Sequence, residues 1–272
     1  MGYRTTPCLI GDTDGWSLAR HLDSVLVSAF ALHDVTLGYD GHPAVHHLDG
    51  EFAAGSMTAV IGPNGSGKST LLKGLAGFLK PLDGHIHRGD VTPRDIAYLP
   101  QASALDQSFP ATVADLIGLG LWCQRGLFAT FKKQDAKNME EALATVGLAG
   151  FEQRPIDTLS GGQLQRALFA RVMLQQSNVI LLDEPFTSID SRTVTDLLAL
   201  VHRWHAERRT IVAVLHDDDM VRANFPDAVL LARESVAWGP TAQVLAPENL
   251  LKARHMHEAW DEHAPWCAKE VA

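Results

Sequence analysis

Cysteine is scarce. Cys8, Cys123 and Cys267 are the only three in 272 residues, they are scattered, and no two form a C-x-x-C pair. That excludes a disulfide framework and fits a reducing, cytosolic setting. Positive charge is also short, with 23 Lys and Arg against 32 Asp and Glu, for a formal charge of −9. The basic footprint of a nucleic-acid binder is therefore missing. No apolar run approaches the ~18 residues of a membrane span. If this chain acts at a membrane, another chain must do the spanning. Val25 to Leu32 has the apolar look of a signal-peptide core, but Asp12, Asp14 and Asp23 stand where such a peptide needs cations. Met1-Gly2-Tyr3-Arg4-Thr5-Thr6 fits the undemanding myristoylation pattern, and we set that match aside. Residues 1–23 read as a flexible polar extension. No internal repeat or low-complexity stretch is present.

What is present centres on Gly62-Pro63-Asn64-Gly65-Ser66-Gly67-Lys68-Ser69-Thr70. This is G-x-x-x-x-G-K-[ST], a phosphate-binding loop. A β-prone run, Ala59-Val60-Ile61, precedes it, and a helical pattern from Thr70 to Leu79 follows. Strand, loop and helix form the context the motif requires. Glycines let the backbone curl around an anion, and the helix N-terminus adds its positive dipole end. Lys68 can reach the β- and γ-phosphates, and Ser69 can ligate Mg²⁺.

The chain alternates strands and helices. A first strand is expected over Val25–Leu32, continuing to Leu37, and a second over His46–Ala54. Edge and inner strands are expected at His85–Arg88 and Ile96–Leu99. Residues 102–164 read as an inserted helical subdomain, with Thr112 capping one helix and a loop over Trp122–Phe131. Met139, Leu143 and Val146 share one face of a second helix. Val179–Leu182 is a continuous apolar run, as a buried parallel strand requires, and Thr210–Leu215 reads as another buried strand. Further strands near 228–232 and 235–238 precede a tail over 251–272. The alternation argues for an α/β fold with a mainly parallel sheet. Ligands of such folds bind beyond the carboxyl ends of strands. Ile61, Leu99, Leu182 and Leu215 are such ends, and polar residues follow each one.

Asp183 follows a buried run, where a carboxylate can hold Mg²⁺ near Ser69. Glu184 beside it suits a general base for an attacking water. Thirteen histidines include His85 with His87 and His255, His257 and His263 near Cys267. Their spacing matches no strict zinc site, and Pro265 interrupts the helix that His263 and Cys267 would need to share. We read that tail as solvated and polar.

Across residues 24–250 the chain resembles the nucleotide-binding subunit of an ABC transporter. The resemblance rests on the phosphate loop and on Gln101 after its strand. It rests also on Leu159-Ser160-Gly161-Gly162-Gln163, Val179–Glu184, Ser188-Ile189-Asp190 and His216. It implies a RecA-like P-loop core, an antiparallel β subdomain and the helical insert. It implies ATP and Mg²⁺ as ligands, with Mg²⁺ held through Ser69, Gln101 and Asp183. Glu184, His216 and Gln101 would serve hydrolysis, and Tyr39 would stack on adenine. In the family two subunits face head to tail, so Ser160, Gly161, Gly162 and Gln163 of one would meet the nucleotide of the other, and Asp190 would cross the interface. Asp106 to Val113 resembles the coupling region of zinc, manganese and iron importers. The runs Glu184–Asp190, Leu197–Trp204 and Leu230–Gly239 look closest to the zinc-uptake branch. The implied partners are a second copy, an integral membrane permease and, indirectly, a metal solute-binding protein. The implied location is the cytoplasmic face of the membrane. The alternatives are a soluble ABC ATPase of assembly, repair or translation, a nucleotide-binding regulator without hydrolysis, and a transporter subunit for another cargo.

Overall fold

The computed structural model describes residues 28–106, 109–125 and 132–258. The N-terminal extension, residues 126–131, and His263 with Cys267 lie outside them.

The chain opens with a hairpin, β1 (Ser28–Tyr39) and β2 (His42–Ala53), then runs through β3 (Met57–Ile61) into α1 (Lys68–Ala76). Next come β4 (Asp83–His87) and β5 (Ile96–Leu99). Three helices follow, α2 (Val113–Arg125), α3 (Lys133–Thr145) and α4 (Gly161–Gln175). The chain then alternates through β6 (Val179–Asp183), α5 (Ser191–Ala206), β7 (Thr210–Val214) and α6 (Asp218–Asn224). It finishes with β8 (Asp227–Ala232), β9 (Glu234–Pro240), α7 (Thr241–Val244) and α8 (Pro247–Glu258).

Two sheets result. One is antiparallel, in the order β2-β1-β4, and the other runs β5-β6-β7-β3-β8-β9. In the larger sheet β5, β6, β7, β3 and β8 are parallel, and only β9 turns back, as the partner of β8. Every residue of β3, β6 and β7 is buried. The two-residue period of a strand divides them between two cores. Ala59, Ile180, Leu182, Ile211 and Ala213 face the core shared with α4 and α5. Val60, Leu181, Val212 and Val214 face the core shared with α1 and the antiparallel sheet. Burial on both sides explains why these strands read as unbroken apolar runs.

Four local expectations shift. β2 begins at His42, earlier than expected, because the polar His42-Pro43 start carries no strand signal. Helix α2 continues through Arg125 into the stretch expected as a loop, with Leu121 buried beneath it. The boundary drawn at residue 250 falls inside α8. The strand before His216 reads in the sequence as the last buried one, but β8 beyond it is also buried almost throughout. The helix starts obey capping chemistry. Thr112 and Asp115 cap α2 reciprocally, as do Ser160 and Gln163 at α4.

Candidate functional site

The strand order positions the site. β5, β6, β7 and β3 are parallel neighbours, so their carboxyl ends stand in a row. Those ends deliver Gln101, the Asp183-Glu184 pair, His216 and the phosphate loop. Residues far apart in the chain thus meet along one sheet edge.

The loop from Gly62 to Thr70 is shaped by its glycines. Gly62 has φ 144°, and a Cβ there would lie 1.9 Å from the Leu231 carbonyl oxygen. Gly67 has φ 92°, and a Cβ would come within 2.4 Å of Val45 Cγ2. Only glycine permits this backbone at these approaches. Gly67 is also the N-cap of α1 and brings no side chain to cap it. The first N–H groups of α1 therefore have no acceptor within the helix. Ser66 Oγ is buried and has no hydrogen-bond partner among the described residues. Lys68 is buried and donates to the carbonyls of Gly62 at 2.9 Å and Pro63 at 2.7 Å. Burial lowers the Lys68 pKa, and the nearby charges of Glu184 and Asp183 oppose that shift. N–H donors without an acceptor inside the helix, a buried ammonium and a glycine cradle fit a polyphosphate.

Asp183 ends β6 and is 3% exposed. Ser69 Oγ donates to its Oδ1 at 2.8 Å, and the Tyr98 hydroxyl donates to its Oδ2 at 3.0 Å. Burial raises the Asp183 pKa, and these two hydrogen bonds pull it back toward the ionised form. Burial, followed by the charge of Asp183, pushes the Tyr98 phenol up, so it remains a donor. Hydroxyl and carboxylate oxygens are hard ligands of the kind Mg²⁺ requires. Ser69 and Asp183 therefore fit that ion.

Glu184 is held by both oxygens. Gln101 Nε2 donates to Oε2 at 2.7 Å, and His216 Nε2 stands 2.6 Å from Oε1. An ionised carboxylate only accepts, so His216 presents N–H at that nitrogen. The Glu184 side chain is 16% exposed, and its backbone sits at φ 49°. A non-glycine residue at positive φ is strained, and such strain gathers at working sites. A fixed carboxylate beside a phosphate cradle can orient and deprotonate a water.

The remaining expected residues sit further out. Tyr39 ends β1 with 45% exposure, and Lys73 of α1 stands over its ring at 5.6 Å and donates to its hydroxyl at 3.3 Å. Ser160, Gly161, Gly162 and Gln163 open α4 instead of lining the phosphate loop. Among the described residues no hydrogen bond joins the two segments. Asp190 caps α5, accepting from the backbone and hydroxyl of Thr193 at 2.9 and 2.7 Å. Tyr98 is the residue that sequence reasoning missed. Its place in an apolar strand hides it, and only the β5–β6 register brings it to Asp183.

The profile of the ABC transporter family matches residues 45–187. The manganese transport system ATP-binding protein MntB of Listeria monocytogenes is 37% identical over 223 residues, covering 80% of this chain and 93% of that one. Among solved structures, an inward-facing ABC transporter described as of metal-chelate type superposes with a TM-score of 0.73 at 28% identity. That match covers 84% of this chain and 89% of the other. A dimeric bacterial ABC transporter cassette superposes at 0.69 with 26% identity, covering 78% and 98%.

Proposed function

The chain belongs to the ATP-binding subunits of ABC transporters, and from that premise we propose that it powers uptake of a divalent transition-metal ion through a separate membrane permease. As a member of that family it is an ATPase that uses Mg²⁺. The observation that carries the hydrolytic reading is the Glu184 carboxylate, gripped from both sides beside the Ser69–Asp183 pair. In this reading the loop N–H groups and Lys68 hold the phosphates of ATP, and Tyr39 stacks on the adenine. Ser69, Asp183 and Gln101 would hold Mg²⁺, which when bound would neutralise charge on the phosphates. Glu184 takes a proton from water as the water oxygen bonds the γ-phosphorus and ADP leaves. Gln101 and His216 keep that carboxylate aimed.

Ser160 and Gly161 are exposed and Gly162 and Gln163 half-buried at the start of α4, where a second copy would present its nucleotide. A helix N-terminus with a hydroxyl and glycine N–H groups suits a γ-phosphate. We therefore read the working form as a homodimer, with each nucleotide between two copies. The dimeric state of that similar cassette supports a two-copy form. No helix among the described residues is long and apolar enough to cross a membrane. The permease does the crossing, a solute-binding protein delivers the metal, and this subunit docks at the cytoplasmic face. Nucleic acid has no place in this reading, given the net charge of −9.

The resemblance points to zinc, whereas the bacterial relatives carry manganese in their names. Both are divalent ions, and in this reading neither passes through the ATP-binding subunit. Uptake of radioactive manganese and zinc by vesicles holding the assembled transporter tests the assignment. ATP-dependent accumulation of one of them is expected. Accumulation of neither would sink the manganese and zinc readings, and Glu184-dependent hydrolysis would stand apart from that result.

The permease-facing surface is proposed at Phe109. Phe109 is 67% exposed, Trp122 54% and Leu119 40%, and they line a groove of about 470 Å³ with Met139. Large exposed apolar groups that share a groove mark an interaction site. Phe109→Ala should leave ATPase activity of the isolated subunit within about twofold. Removing such an anchor typically costs about 1–2 kcal/mol of docking, so ATP-driven uptake should fall roughly 10-fold. Equal loss of both activities would assign Phe109 to folding instead.

A further inference from the structure

Tyr98 touches the metal-holding carboxylate at one end and the helix that opens at Ser160 through the other. In the β5–β6 register Tyr98 lies opposite Leu181. Asp183, two residues on, shares the face of Leu181, which sets it diagonally across from Tyr98 within reach of a long aromatic side chain. The phenol donates to Asp183 Oδ2 at 3.0 Å, while Ser69 takes Oδ1 at 2.8 Å. The carboxylate is thus tied at both oxygens inside the protein. At its backbone, Tyr98 accepts a 2.8 Å hydrogen bond from Arg171 Nη2. Arg171 belongs to α4, the helix whose first turn carries Gly161 to Gln163. The Tyr98 ring packs edge-on against Phe78 at 5.3 Å, which fixes the phenol's direction. Gln101 follows at the end of the same strand.

We propose that Tyr98 is a positioning residue that holds the Asp183 carboxylate ready for Mg²⁺ and, through Arg171, ties that carboxylate to helix α4. Partners behind a metal ligand set its orientation, and their loss typically lowers metal affinity about 10–100-fold. The link joins two places that the proposed dimer uses separately. The start of α4 meets the nucleotide of the second copy, and its third turn grips the strand that orients the metal carboxylate of its own copy. A displacement of α4 therefore reaches the metal site of the same chain without passing through the nucleotide.

The inference rests on the reading of Asp183 as a Mg²⁺ ligand, and the test separates the two. ADP binding to the full chain is measured by calorimetry in EDTA and across a Mg²⁺ series, so no turnover is involved. Tyr98→Phe keeps the ring and its packing and removes only the donor. It should raise the Mg²⁺ concentration for half-maximal tightening about 10-fold, with ADP affinity in EDTA unchanged. Arg171→Met should move the Mg²⁺ requirement in the same direction by a few-fold, and it serves as the deciding variant if Tyr98→Phe does not fold. An unchanged Mg²⁺ requirement in the folded variant overturns the inference. Equal weakening of ADP binding with and without Mg²⁺ also overturns it, because that would mark a general packing defect. Asp183→Asn is run beside them. If it raises the Mg²⁺ requirement while Tyr98→Phe does not, only the role of Tyr98 falls. If it leaves the requirement unchanged, the reading of Asp183 falls first.

Discussion

Glu184→Gln should lower ATP turnover by roughly 100-fold or more, the usual worth of a general base, while nucleotide binding survives. Glutamine keeps the length and shape of the side chain. It cannot take a proton from water at neutral pH. It also presents one oxygen and one NH₂, whereas Gln101 and His216 now offer donors to two carboxylate oxygens. One of those neighbours must turn away or change tautomer. Bound ATP should then persist and hold two copies together through Ser160 to Gln163 of the opposite chain. Phosphate release measures the first effect, and light scattering with ATP and Mg²⁺ measures the second. Turnover within about threefold of the wild type would remove Glu184 from the chemistry.

Lys68→Met should instead abolish tight nucleotide binding. The ammonium is buried, and its burial lowers its pKa against the opposing charges of Glu184 and Asp183, so the site carries a partly desolvated cation that anionic phosphates stabilise further. Removing one partner of a buried, hydrogen-bonded charge pair costs about 2–5 kcal/mol, or roughly 30-fold and upward in Kd. Methionine fills the space of the stem, so packing around α1 should hold. The bonds from Lys68 to Gly62 and Pro63 also disappear, and part of the loss will come from a looser loop. Calorimetry with ATP checks the affinity, and a melting curve checks the fold. Binding within about threefold of the wild type would contradict the role assigned to Lys68.

Much of this was legible before any coordinates. The phosphate loop is a local device, and its glycines and lysine announce it in nine consecutive residues. β6 and β7 announce themselves because burial on both faces leaves no polar position inside the strand to blur the pattern. Ser160 and Gln163 sit three apart, which is the spacing of a capping box as well as of the family motif. What stayed hidden depends on register and packing. Tyr98 becomes a neighbour of Asp183 only when β5 pairs with β6. Arg171 reads as an ordinary helix cation until α4 packs over that strand. His42-Pro43 gives no sign of a strand, and β2 starts there because it pairs with Tyr39 and Gly38. The cap formed by Asp190 was equally invisible, since an interface role and a helix cap use the same carboxylate.

The place of β3 in the larger sheet carries a consequence for how the protein is made. β3 holds the residues just before the phosphate loop, yet its neighbours there are β7 and β8, from the other end of the chain. During synthesis the strand at 57–61 emerges early and must wait until residues 210–214 and 227–232 have left the ribosome. Pairing across such separations is slow, because the intervening chain must be closed into a loop before any contact repays it. Until then the five buried residues of β3 are an exposed apolar segment in the nascent chain, open to aggregation or to a chaperone. The nucleotide cradle is therefore encoded early and completed near the end. A ribosome stalled before β8 would hold a chain with the whole phosphate loop in its sequence and no seated strand to support it.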